Sequence, residues 1–367
     1  AERCYFCHSN FDIEPDRPQE WMQKEDVHLS SGLTCVDCHR NGIEHNIIRG
    51  YEDEPVSNDT LTDAYTCRGC HLGSDSASQT IGRFGAPRPE HIGIPEIHFE
   101  KLSCTACHSG IFPAETTYRT KTSRAHALGT HDADKSEQAL PHIAYPVFAE
   151  APDGKITPYK LIWPAFWALV EGQNVEPIDI RKVKRIAGNI LKGTDSAETG
   201  GWPEITEKQI AEVLKAFDAE NSIESKSVYI TGGSLYQLAD SELIAIADHR
   251  AAQPYMWPIA HDVRPAEQSL GIHYCEECHS SDAPFVFGNV EVDSPVAKQQ
   301  DNTKIMVEFQ DESPLYMRLF AISFVFRPWL KIVALLSCGA IAAVLVYYGL
   351  KALGCIIDFV TEKNESG

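Results

Sequence analysis

The pattern of hydrophobic and polar positions divides the chain into three stretches. Residues 1–142 show little sustained periodicity and are rich in Gly, Pro, Ser and Asp, for example at 50–60 and 72–90. Such a stretch does not build an apolar core from its own side chains. Between 143 and 260 the pattern becomes regular. The segment 206–217, TEKQIAEVLKAF, opens with a capping box, Thr206 at the N-cap and Gln209 at N3. Ile210, Val213, Leu214 and Phe217 then fall on one helical face. A second helix is expected over 177–192, on Ile178, Val183, Ile186 and Leu191. Residues 226–238, KSVYITGGSLYQL, alternate as a hairpin turning at Gly232 and Gly233, and a third strand is expected at 242–247. The aromatic run 162–169, IWPAFWAL, suits either a core or contact with a bound apolar group.

The third stretch is the most apolar. Residues 332–350 carry no charge and are bounded by Lys331 and Lys351, a length that spans a bilayer as a helix. Trp329, Tyr347 and Tyr348 stand where interfacial aromatics belong. Just upstream, 313–328 reads as an amphipathic helix lying on the membrane surface. Gly339 and Ala343 form a small-xxx-small pair suited to close helix approach. The expected fold is mainly α with much irregular structure, a small β meander in an insert, and one C-terminal transmembrane helix.

Composition narrows the function. Lys plus Arg total 32 against 52 for Asp plus Glu, a formal charge of −20. Phosphate binding needs a basic face, so nucleic acid is excluded as a partner. The balance suits basic proteins or small molecules instead.

The cysteines decide the chemistry. Ten of the 12 fall in five C-x-x-C pairs: Cys4/Cys7, Cys35/Cys38, Cys67/Cys70, Cys104/Cys107 and Cys275/Cys278. Each pair is followed at once by a histidine: His8, His39, His71, His108 and His279. Disulfides place no demand on the residue after the second Cys. Zinc sites combine C-x-x-C units, yet five is an odd set and His would not follow every one. C-x-x-C-H is the attachment motif of haem c, in which two thiols form thioethers and the adjacent His is the proximal iron ligand. Five covalently bound haem c groups are therefore expected. Cys338 and Cys355 lie outside any motif and read as small apolar filler.

Haem c attachment takes place outside the cytoplasm. The expected location is the periplasmic side of a bacterial inner membrane, single-pass with the N-terminus outside. A signal peptide is expected to have been removed ahead of Ala1. Arg318, Arg327 and Lys331 then lie outside against Lys351 and Lys363 inside, which runs against the positive-inside rule. Export of the large haem-bearing region outweighs those few flanking charges.

The organisation expected is a tetrahaem module over 1–142, a haem-free α+β insert over 143–260 and a fifth-haem segment over 261–312. A juxtamembrane segment (313–330), a transmembrane helix (331–357) and a short cytoplasmic tail (358–367) follow. Only four Met are present, so Met cannot ligate five irons, whereas ten further His remain. Bis-histidine ligation is favoured, with His28, His45, His98, His126 and His261 as distal ligands and His131, His91, His142 and His273 as substitutes.

The motifs over 1–110, together with HFEKLSCTACHSG (98–110) and the 261–279 segment, resemble the multihaem cytochromes c that include nitrite reductase, hydroxylamine oxidoreductase and octahaem tetrathionate reductase relatives. That resemblance implies packed haems that conduct electrons. It departs from the catalytic members: no C-x-x-C-K motif is present, and the anchor resembles those of electron-transfer subunits. The function expected is electron transfer between a membrane complex, quinol-linked and contacted through the C-terminal helix, and soluble or membrane redox partners. The alternative is an enzyme acting on a nitrogen or sulfur compound at one open-site haem.

Overall fold

The computed structural model describes residues 26–40, 47–50, 65–73, 81–110, 113, 116–117, 119–121, 142–144, 146–172, 174–191, 205–220, 225–292, 294–296 and 302–365. Cys4, Cys7, His8, His45, His126 and His131 lie outside them. Helix accounts for 46% of the described residues and strand for 21%, and one 52-residue helix supplies much of the helical share. Elsewhere the chain is about as much strand as helix, so the mainly α expectation holds only in part.

The correction comes from the insert, which is larger in sheet than a small meander. Five antiparallel strands run in the order Glu242–Ala247, Ser234–Ala239, Lys226–Thr231, Ala165–Glu171 and Asn174–Pro177. The central hairpin turns at Gly232 and Gly233, with φ of 54° and 75°. A side chain on Gly233 would also meet the Trp163 ring at 3.4 Å. The helix Glu207–Asp218 packs on this sheet through Ile210, Val213, Leu214 and Phe217, all fully buried. Its capping box forms as expected, with Gln209 N–H donating to Thr206 Oγ1 and Thr206 N–H donating to Gln209. Trp167 joins the same core, its ring centre 4.2 Å from Tyr229 and 5.8 Å from Phe217. The second helix is shorter than expected, Ile180–Ala187, because Asp179 caps it by accepting the Arg181 N–H.

A three-stranded sheet stands beside the first, in the order Tyr255–Pro258, Ile156–Ile162, Val147–Glu150. Its strands escaped the sequence pattern because Pro158 and Lys160 interrupt the alternation and Val147–Glu150 is very short. The fourth motif docks on it: Ser103 N–H donates to the Ile156 carbonyl at 3.1 Å. The strand Tyr255–Pro258 leads directly into the segment that carries His261.

Residues 279–281 and 313–367 form a second compact unit. Its body is one helix, Pro314–Glu365. The break expected at residue 330 is absent: the helix continues through Pro328, although a proline has no N–H for the Phe324 carbonyl. At 1.5 Å per residue it is about 78 Å long, well beyond the roughly 30 Å of a bilayer core. The stretch Pro314–Thr361 is long and apolar enough to cross a membrane.

Candidate histidine-pair sites

Each described C-x-x-C-H motif is a single helical turn. These are Cys35–Cys38, Cys67–His71, Cys104–His108 and Glu276–His279. The first three start on a hydroxyl residue, which explains why so short a segment is helical. Gly69 N–H donates to Thr66 Oγ1 at 2.9 Å and Ala106 N–H to Ser103 Oγ at 3.3 Å. At Thr34 the backbone N–H donates to Asp37 at 2.7 Å. A turn of helix puts residues i and i+3 on one face, so both cysteines of a motif serve the same side, with the histidine at the turn's end.

The motif histidines are oriented by backbone carbonyls. Nδ1–H of His39 donates to the Ile48 carbonyl at 2.9 Å and that of His71 to Pro87 at 2.7 Å. His108 Nδ1–H donates to Arg264 at 3.3 Å. A neutral imidazole that donates through Nδ1 keeps the Nε2 lone pair for a metal, the usual arrangement behind a metal-ligating histidine.

Opposite each of these rings stands a second imidazole from elsewhere in the chain. Ring centres are 5.7 Å apart for His39 and His261, 6.2 Å for His71 and His28, and 6.3 Å for His108 and His91. An imidazole nitrogen binds a first-row metal at about 2.0–2.1 Å and lies roughly 1.1 Å from its ring centre, so two rings on opposite sides of one metal have centres about 6.2 Å apart. The His71–His28 and His108–His91 pairs stand at that spacing, and the His39–His261 pair, at 5.7 Å, is slightly closer. Among the described residues no three His, Cys, Asp or Glu converge on a bare metal ion. Two-imidazole pairing is the arrangement present.

No family model, curated protein or solved structure matches this chain. The sites therefore rest on their own geometry.

Of the five expected distal histidines, the structure brings His28 and His261 to motif histidines. The ring facing His108 is that of His91, a substitute in the sequence reading, and not that of His98. His98 Nδ1–H instead donates to the Pro95 carbonyl at 3.2 Å. His91 takes its place from a backbone φ of 47°, followed by the Ile92–Gly93 turn, a local conformation with no periodic signal in the sequence. His249 caps the short helix Arg250–Ala252, and His273 lies in the loop whose N–H groups are received by Glu277.

One carboxylate organises two of the pairs. Buried Asp26 accepts N–H donors from His28 at 2.8 Å and Val263 at 2.9 Å, and its Oδ1 lies 3.5 Å from His28 Nδ1. Burial raises its pKa, but the His28 ring and the N–H groups of Val263 and His28 more than offset this and bring it down to about 2. Burial also lowers the pKa of His261, with His39 adding to the effect. Such a ring stays neutral and able to ligate.

The segment 259–270 threads past the other motifs. Val27 N–H donates to the Val263 carbonyl, Gly110 N–H to His261, Arg264 N–H to His108, and Leu270 N–H to Cys107, at 2.7–3.1 Å. Gly110 is required here, since a side chain would meet Ile259 at 3.2 Å from a φ of 74°. Neighbouring motifs influence one another. Burial raises the Cys38 thiol, and Cys70 adds to it. His108 is lowered by burial, opposed by the Arg264 carbonyl, and lowered further by His91 and His71. Burial pushes Cys278 up to about 12, with Cys107 contributing. Cys38 thus lies within electrostatic reach of Cys70, His108 of His71, and Cys278 of Cys107.

The fifth histidine has a different setting. The His279 ring stacks on Phe324, 4.7 Å between centres at 7°, and meets Phe320 edge-on at 5.3 Å. Apolar side chains stand exposed around the other motifs, among them Val36, Leu72, Phe84, Ile92 and Phe99.

Proposed function

We propose that this chain is a membrane-anchored pentahaem c-type cytochrome that transfers electrons between a membrane partner and partners on the periplasmic side. The observation that carries this reading is the set of three imidazole pairs at 5.7–6.3 Å, each joining a C-x-x-C-H histidine to a distant one. Covalent attachment falls to Cys35/Cys38, Cys67/Cys70, Cys104/Cys107 and Cys275/Cys278, with Cys4/Cys7 supplying the fifth by motif. Haem iron, when bound, supplies reversible one-electron storage at each site. The residues do the rest. Backbone carbonyls fix the Nδ1–H side of His39, His71 and His108 and leave Nε2 for iron. Exposed Val36, Leu72, Phe84, Ile92 and Phe99 are apolar surface that a porphyrin would cover.

Two histidines per iron leave no position for a substrate, which favours electron transfer over catalysis at the second, third and fourth sites. The C-terminal helix supplies the anchor and the contact with a membrane complex, with quinol as the electron donor by chemical class. The net charge of −20 steers basic redox partners to the exposed region in a salt-dependent way. A second reading, an oxidoreductase with one open site acting on a nitrogen or sulfur compound, draws on the aromatic setting of His279.

The test is spectroscopic. The detergent-purified full chain is reduced and exposed to CO, nitrite and hydroxylamine. Five low-spin haems unmoved by these ligands support electron transfer. One haem that binds CO and turns over nitrite or hydroxylamine supports the enzyme, and a colourless chain removes both.

A further inference from the structure

The first three described sites pair imidazole with imidazole, whereas His279 is held by residues of the C-terminal helix. Phe320, Phe324 and Arg327 are spaced i, i+4 and i+7, so they share one face. The His279 imidazole lies nearly parallel to Phe324 and edge-on to Phe320. The two phenyl rings meet edge to face at 5.3 Å. Against the same phenyl group lies the Arg327 guanidinium, its central carbon 3.4 Å from the Phe324 ring centre and 5.6 Å from that of Phe320. His279 and the 313–367 stretch fall in the same compact unit.

This array has two physical consequences. Stacking against two rings fixes the plane of the imidazole and leaves it little freedom to rotate. The guanidinium stays charged at any working pH. Arg327 is exposed, so water screens part of its field, but it lies against the same Phe324 ring that stacks on the imidazole, close enough for the remainder to reach the imidazole and anything bound to it. A fixed positive charge favours the reduced, less positive state of a nearby iron. The site is also close to the apolar span. Phe324 is eight residues before residue 332, about 12 Å along the helix at 1.5 Å per residue.

Resting on the haem reading above, we propose that Phe324 and Arg327 are positioning residues for the fifth haem. They fix the plane of its proximal His279 and raise its reduction potential, so that the site next to the membrane accepts electrons from a lipid-soluble donor such as a quinol. Neither residue touches the substrate or exchanges electrons itself.

The experiment is an equilibrium redox titration of the full-length, detergent-purified protein, resolved into five components. In R327Q one component moves to lower potential and the other four stay in place. R327K, which keeps the charge, moves that component less than R327Q does. F324L, which removes the stack, moves the same component. The proposal is overturned if R327Q leaves all five unchanged, if it moves all five together, or if R327K moves the component as far as R327Q. Should R327Q fail to accumulate, F324L decides alone: movement of one component supports the proposal, and five unmoved components overturn it. Failure of the underlying reading is distinguishable, because the parent protein would then lack five covalent haems before any variant is made.

Discussion

Asp26 accepts the backbone N–H of Val263 at 2.9 Å, across 237 positions of sequence. The same carboxylate takes the His28 N–H and lies beside its ring, so a single buried anion holds both the element carrying His28 and the one carrying His261. The histidines that face two different motif rings thus share one anchor. The insert completes the arrangement, since the strand Tyr255–Pro258, paired with Ile156–Ile162, delivers His261 to the second motif.

Replacing that anchor should loosen both ligands. Asp26→Ala leaves three N–H donors, those of His28, Leu29 and Val263, without their acceptor. A cost of about 2–3 kcal/mol is expected for hydrogen bonds to a buried charge. Thermal melts should show that loss. Electron paramagnetic resonance of the oxidised protein should show a new high-spin ferric signal. An unchanged low-spin spectrum would mean that Asp26 does not position the ligands.

The pairing of His91 with His108 makes a sharper claim. His91→Ala should open one haem to CO in the reduced protein, visible as a shift of about a fifth of the Soret band, in proportion to five sites. His249→Ala, which removes only a helix cap, should leave every haem closed to CO. Equal behaviour of the two variants would refute the pairing.

Lys160 links stability to pH. It is buried in the strand Ile156–Ile162, and burial lowers its pKa from 10.5 to about 8, with Asp262 opposing. The unfolded chain keeps the proton up to 10.5 and the folded chain only to about 8. Within that window the unfolded state binds more protons, so this group makes stability rise with pH between those values. Lys160→Met should stabilise the protein at pH 7 by up to roughly 3 kcal/mol and flatten that rise. Denaturant unfolding at several pH values checks both effects.

Phe217 tests the insert core. Fully buried between the helix Glu207–Asp218 and Trp167, it should cost about 3–5 kcal/mol as Phe217→Ala. Circular dichroism melts would reveal the loss, and a variant as stable as the parent would contradict the packing.

The regular parts of the insert were legible in the sequence. The capping box at Thr206, the hairpin at Gly232 and Gly233 and the strand Glu242–Ala247 each carry a local signal strong enough to fix an element. The three-stranded sheet was not, because Pro158 and Lys160 break its alternation and its pairing joins distant segments. The continuity of the long helix through Pro328 was also hidden, since a proline normally marks a boundary. At the sites, the motifs were legible because the same C-x-x-C-H spacing recurs five times in the sequence. His28 and His261 stood out by position, but the partner of His108 could not be read off. It depends on a left-handed backbone at His91 and on the fold of 81–110, neither of which leaves a periodic trace.

The most direct test of the whole account is the mass of the denatured chain after extraction with acid–acetone. The account predicts a polypeptide that keeps its colour and is heavier by five haems. A colourless chain at its bare polypeptide mass, or one that yields its pigment to the solvent, would contradict it.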